Sequence, residues 1–162
     1  INFTLIDRIV LTPIELNTTI IPNLIIIAVL FLLNLIAQKG FTNRFIFDYL
    51  PFLLATIIGG FLFPVALPYI SFRSFALKGA VMGFIFALLL SLVLKSSLIL
   101  YLTNILLFVP VISFIALNFT GATTFTSLSG VKKEIKIATP LFIVSMSLGI
   151  ILKVLLIFKV LV

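Results

Sequence analysis

Cysteine, histidine and tryptophan are all absent from this chain. Without cysteine there are no disulfides, no thiolate metal ligands and no thiol nucleophile, and cysteine usage leaves the redox compartment open. Without histidine the commonest general base and a principal borderline metal ligand are missing. Acidic side chains are also scarce: Asp7, Glu15, Asp48 and Glu134 are the four that 162 residues supply. That inventory argues against self-contained catalysis. Charge of either sign is rare, at 9% of residues, while 63% are hydrophobic. Soluble domains are roughly half apolar and about one quarter charged. A soluble sphere of this size has too little interior to hide so much apolar surface. Both a water-soluble enzyme and a disordered tail are excluded, and the bilayer is the expected solvent. The mean hydropathy of +1.45 agrees.

What charge there is has one dominant sign. Eleven Lys and Arg against four acids give a net charge of +7. In a membrane chain this excess reports loop topology and anionic lipid. No basic run with interleaved aromatics suggests a nucleic-acid partner. The chain opens Ile1-Asn2-Phe3 without a Met, which reads as a processed product or a segment of something longer. No basic region followed by a short apolar core marks a signal peptide at this start.

About 20 mostly apolar residues cross the hydrocarbon as a helix. Five stretches meet that requirement: about 20–37, 49–67, 75–94, 97–117 and 139–160. Backbone groups in lipid must be paired internally, so each is expected to be helical, and no period-two alternation suggests a membrane β-barrel. The fold class is therefore all-α, a bundle of five transmembrane helices over residues 20–162. Residues 1–19, with Asp7, Arg8 and Glu15 among aliphatics, read as an interfacial lead-in. Thr139-Pro140 reads as a cap and first-turn proline opening the fifth span. The tight turn at Lys95-Ser96 makes spans three and four an antiparallel hairpin. Tyr49 and Tyr69 lie at opposite ends of span two, as an interfacial belt requires.

Orientation follows from cations near span ends. Arg8, Arg73, Lys78, Lys132, Lys133 and Lys136 fall on one side; Lys39, Arg44, Lys95, Lys159 and Lys153 fall on the other. The small bias puts the N-terminus and segment 118–138 in the cytoplasm. Lys153 lies about two turns from a span end and reads as a snorkelling side chain. Asn34 reads as a helix–helix hydrogen bond. Gly59-Gly60 with Pro64 suits either a broken, transport-type helix or close helix packing.

The polar segment 118–138 is the chemically richest. Asn118 to Gly130 carries six hydroxyls (Thr120, Thr123, Thr124, Thr126, Ser127 and Ser129) and the two glycines Gly121 and Gly130. Such a run either solvates its own backbone as a turn or presents hydroxyls and amides to a partner. It is no P-loop, because no Gly-Lys-Ser/Thr follows Gly121 at the required spacing, and no Glu or Gln three residues after Ser129 completes a capping box.

The stretch NFTGATTFTSLSGVKKE (Asn118 to Glu134) resembles the signature loop in the membrane domain of the mercury-methylating corrinoid protein family. DRIVLTPIEL (Asp7 to Leu16) and SFALKGAVMG (Ser74 to Gly83) are similar to two other recurring stretches of that family, in the same order. The resemblance implies a bacterial or archaeal cytoplasmic membrane. It also implies a preceding corrinoid-binding domain whose cobalt, ligated by a cysteine, passes a methyl group to inorganic mercury. A small iron–sulfur ferredoxin would re-reduce the cobalt. With no cysteine here, the chain corresponds to the membrane domain alone, binding no corrinoid by itself.

On this reading the chain anchors and docks the corrinoid domain. The candidate contacts are Thr120, Gly121, Thr124, Thr126, Ser127, Ser129, Gly130, Lys132 and Lys133, with Arg73 and Lys78 on the same face and Glu134 orienting the lysines. Two other readings stay open, a transport component for a small ion or metal complex and a purely structural membrane subunit.

Overall fold

The computed structural model describes residues 20, 21, 23–33, 35, 36, 45–119 and 128–158. The described elements are all helical: α1 (Asn23–Leu33), α2 (Phe45–Ile57), a π-helical turn (Ile58–Leu62), α3 (Phe63–Ala66), α4 (Phe75–Val93), α5 (Leu98–Asn118) and α6 (Leu128–Ile157). Four runs are long and apolar enough to cross a membrane: Tyr49–Ala66, Phe75–Val93, Leu98–Asn118 and Gly130–Ile157. Expected spans two, three and four thus match within about a residue at each end. The first is represented by α1, and its flanks lie outside the described residues.

The hairpin between α4 and α5 forms as expected, and its chemistry is explicit. Ser96 N–H reaches back to Ser91 O at 2.9 Å and Lys95 N–H to Leu92 O at 3.2 Å. Together they make the paired closure of a Schellman end, with Lys95 at φ +46° where glycine is usual. Ser97 then caps α5, its Oγ accepting from Leu100 N–H. Lipid offers no hydrophobic push between helices, so association relies on close packing. Gly79 and Gly83, four apart on α4, supply it. A Cβ at Gly79 would lie 2.6 Å from Ser113 Cα, and one at Gly83 would lie 2.8 Å from Val109 Cα. Ala76, Ala87 and Ser91 continue the same buried small-residue stripe.

α5 is the hub. α4, α6 and the α2 run all pack on it. Phe108 meets Phe52 of α2 and Phe86 of α4 edge-on, at 5.0 and 5.3 Å between ring centres. Towards the other end Phe63 packs on Phe75 and on Phe119, at 6.0 and 5.8 Å. That second cluster ties together the start of α3, the start of α4 and the end of α5. It is the floor of the bundle end from which the 67–74 connection emerges, termed here the loop end.

Gly59-Gly60 marks close packing within an unbroken run. A Cβ at Gly59 would lie 2.8 Å from Ile115 Cδ1. The helix widens here to a π turn, with Phe63 N–H bonded to Ile58 O. A proline ring crowds the carbonyl four residues before it, and the wider turn makes room for Pro64.

Two sequence expectations are corrected. Tyr49 is no interfacial belt residue: it is 4% exposed, and its hydroxyl donates to Leu30 O of α1 at 3.0 Å. Tyr69, 84% exposed, stands at the loop end as a belt residue would. The fifth helix begins at Leu128, not Thr139, so the second half of segment 118–138 is helix rather than loop. Pro140 consequently lies inside α6. The bond it forgoes costs least near the interface, where water can reach the freed carbonyl.

Candidate docking face

At 30 residues α6 is about 45 Å long at the α-helical rise, well beyond the roughly 30 Å of hydrocarbon. Its first three turns therefore extend past the apolar span and display their side chains by helical period. Lys132, Lys133 and Lys136 point outward and are exposed. Glu134 and Ala138, one turn apart, turn inward. Ala138 is buried with Ala76 and Leu117, and Phe142 packs against them.

Glu134 makes the decisive contact. One carboxylate oxygen, Oε1, accepts from Ser74 Oγ–H at 2.7 Å and from Ala76 N–H at 2.5 Å. Ser74 is the N-cap of α4, and its Oγ also accepts from Leu77 N–H at 3.2 Å. The opening turn of a helix carries unpaired N–H groups and the positive end of its dipole. A carboxylate from α6 thus completes the cap of α4, as a capping box does within one helix. Glu134 was expected to orient the neighbouring lysines; the structure gives it to α4 instead, because unpaired amides at a helix start compete better than solvated ammonium groups.

Arg73 and Lys78 occupy the same end. Lys78, half-buried, donates from Nζ to Leu67 O at 2.9 Å and sits 5.7 Å from the Phe75 ring centre. It satisfies one of the carbonyls left open where the second span ends. Arg73 is exposed and makes no hydrogen bond or ion pair among the described residues. Both cations line one cavity of about 540 Å³.

The remaining candidates divide. Gly130 is exposed and Ser129 lies in the first turn of α6. Thr120, Gly121, Thr124, Thr126 and Ser127 lie outside the described residues, as do Asn34 and segment 1–19.

Lys153 overturns its expectation. It is only 8% exposed and faces the bundle interior, lining a small cavity with Asn104, Pro51 and Phe108. It follows Ser145 and Gly149 on the inner stripe of α6, where Ser145 Oγ donates to Leu106 O at 3.0 Å and Gly149 abuts Leu107. A snorkelling side chain would lie along the lipid-facing surface, whereas residues of α2, α4 and α5 enclose this one. The spacing 145, 149, 153 carried that signal. Other polar ties were missed by sequence reasoning. Asn23 of α1 donates to Thr56 Oγ1 at 2.6 Å, and Asn104 donates to Ser91 Oγ at 3.0 Å. Gly79 and Gly83, at a four-residue spacing in an apolar span, were the most legible unused signal.

Comparison of the chain with protein-family models, curated proteins and solved structures returns no match.

Proposed function

We propose that this chain is the membrane-anchoring and docking domain of a corrinoid-dependent methyltransferase acting on inorganic mercury. It holds a cytoplasmic corrinoid-binding domain at the loop end of the bundle. The observation that carries the reading is the junction of Glu134 with Ser74 and Ala76. It joins two of the stretches on which the resemblance rests, which lie about 60 residues apart in the chain. A pinned α6 extension presents Lys132, Lys133 and Lys136 as an exposed basic ridge. Such a ridge suits an acidic or phosphate-bearing protein face, and the excess of cations at this end agrees with a cytoplasmic position. Tethering makes each encounter intramolecular, with an effective concentration near the millimolar range for a short linker. The corrinoid and its cobalt ligand belong to the partner domain, re-reduced by the iron–sulfur ferredoxin.

The transport alternative draws less support. Among the described residues, Asn23 bonds to Thr56 and Asn104 to Ser91, so these inward polar groups satisfy one another.

The test uses the full-length methyltransferase. Replacing Thr124, Thr126 and Ser127 together with Ala, and separately Lys132, Lys133 and Lys136 with Gln, should each lower mercury methylation while membrane insertion is unchanged. Capture of the soluble corrinoid domain by the membrane chain should weaken in parallel. Wild-type methylation and capture in both variants would overturn the docking reading.

A further inference from the structure

The cavity of about 540 Å³ in the 67–78 connection has a chemistry distinct from the lysine ridge. Its polar wall is Arg73, Lys78 and Ser71; its apolar wall includes Leu67, Ile70 and Phe75. Two cations facing one cavity repel unless an anion sits between them. Among the described residues, no acidic side chain lines this one. Glu134, the carboxylate of this face among the described residues, is engaged through Oε1 by Ser74 and Ala76. Of the three N–H donors on Lys78, one goes to Leu67 O, which leaves two. Arg73 makes no hydrogen bond or ion pair among the described residues, and its guanidinium fork has the geometry that grips two phosphate oxygens at once.

The position specifies the rest of the ligand. Leu67 follows the last helical residue of the second span and Lys78 lies in the first turn of α4. The cavity therefore sits where two apolar spans meet the interface, with exposed Phe72 in its lining and exposed Tyr69 in the same connection. A ligand that fits is anionic at its head and apolar in its body.

We infer that the 67–78 cavity is a binding site for one anionic phospholipid, whose headgroup phosphate lies between Arg73 and Lys78 and whose glycerol and upper acyl segment run along Leu67, Ile70 and Phe75. Basic pockets between spans on the cytoplasmic side commonly take such headgroups. The site stands independently of the docking reading, because it uses neither the ridge nor segment 120–127. It fixes the height of the loop end in the membrane, beneath the surface that Glu134 clamps.

The test reconstitutes the 162-residue chain in phosphatidylcholine bilayers containing a trace of spin-labelled phosphatidylglycerol. The motionally restricted fraction is read at about 0.5 M salt, where the diffuse pull of exposed lysines is screened to within roughly 4 Å. Phosphatidylglycerol should be restricted in preference to labelled phosphatidylcholine. Arg73→Gln, which removes no bond among the described residues, should weaken the preference about fivefold, and Arg73→Gln with Lys78→Met more strongly. The triple Gln variant at Lys132, Lys133 and Lys136 should leave it unchanged. Equal loss in the triple variant would mean surface attraction, and displacement by millimolar inorganic phosphate would mean a free-anion pocket. Either result, or an unaltered preference in Arg73→Gln, overturns the site.

Discussion

α4 and α6 both lie along α5, but they are held to it by different means. α4 approaches backbone to backbone through Gly79, Gly83 and Ala87, and 33% of its span is buried. α6 has only 17% of its membrane-length window buried and shows lipid-sized Leu141, Ile143, Val144, Leu148 and Ile151 outward. It is attached at points: Glu134 on the cap of α4, Ser145 on Leu106 O, Gly149 on Leu107 and Lys153 in the interior. Continuous small-residue packing makes the α4–α5 hairpin the rigid unit. Discrete polar ties let α6 carry a basic ridge at one end while most of its length faces lipid.

The largest effect should come from breaking the continuous contact. Gly79→Val places its Cβ against Ser113 Cα and Ala116 Cβ, both fixed by the α5 backbone. A loss of about 3 kcal/mol is expected, read as the unfolding midpoint in mixed micelles. Next is a point tie. Glu134→Ala leaves Ala76 N–H and Ser74 Oγ without their acceptor at a helix start. It should cost about 2 kcal/mol and speed hydrogen exchange at the first α4 amides, while Glu134→Gln retains an acceptor and should cost about half as much. Hydrogen exchange unchanged in Glu134→Ala would remove α6 from the capping of α4.

The interior position of Lys153 is tested by access. Cysteine in place of Lys153 should react with a membrane-impermeant maleimide at least about tenfold more slowly than cysteine in place of exposed Lys95, since thiolate chemistry needs access to water. Similar rates would restore the snorkelling picture. The smallest effect belongs to Gly149→Ala, whose Cβ lies 2.9 Å from the Leu107 side chain and 3.1 Å from the Leu106 backbone, a looser approach to the backbone than at Gly79. Leu107 can shift where the α5 backbone cannot, so about 1 kcal/mol is expected, against the larger cost at Gly79.

Part of the site was readable from residue order. The loop-end grouping of Arg73, Lys78 and Lys132 to Lys136 follows from counting spans, and the hairpin at Lys95 follows from its length. The start of α6 did not follow, because Thr139-Pro140 imitates a helix opening, whereas Glu134 and Ala138 supply contacts to α4 that make the earlier turns worthwhile. The role of Glu134 was also hidden, since its partner Ser74 is remote in sequence and a cap shared between helices leaves no local spacing. Lys153 was misread for a related reason. Distance from a span end is visible in a sequence, but the side of the helix occupied by neighbours is visible only through the pattern of the whole stripe.

Composition alone decided that the chain is a helical membrane bundle, because so apolar a polymer must pair its backbone internally once it leaves water. The ends of three spans were also decided there, by where charge and proline interrupt the apolar runs. Tertiary structure decided which polar groups meet. Ser74 with Glu134, Asn23 with Thr56, and Arg73 with Lys78 around one cavity each depend on how helices rotate against α5. That rotation is set by the shapes of glycines and aromatics in contact, a sum over neighbours that no single segment contains.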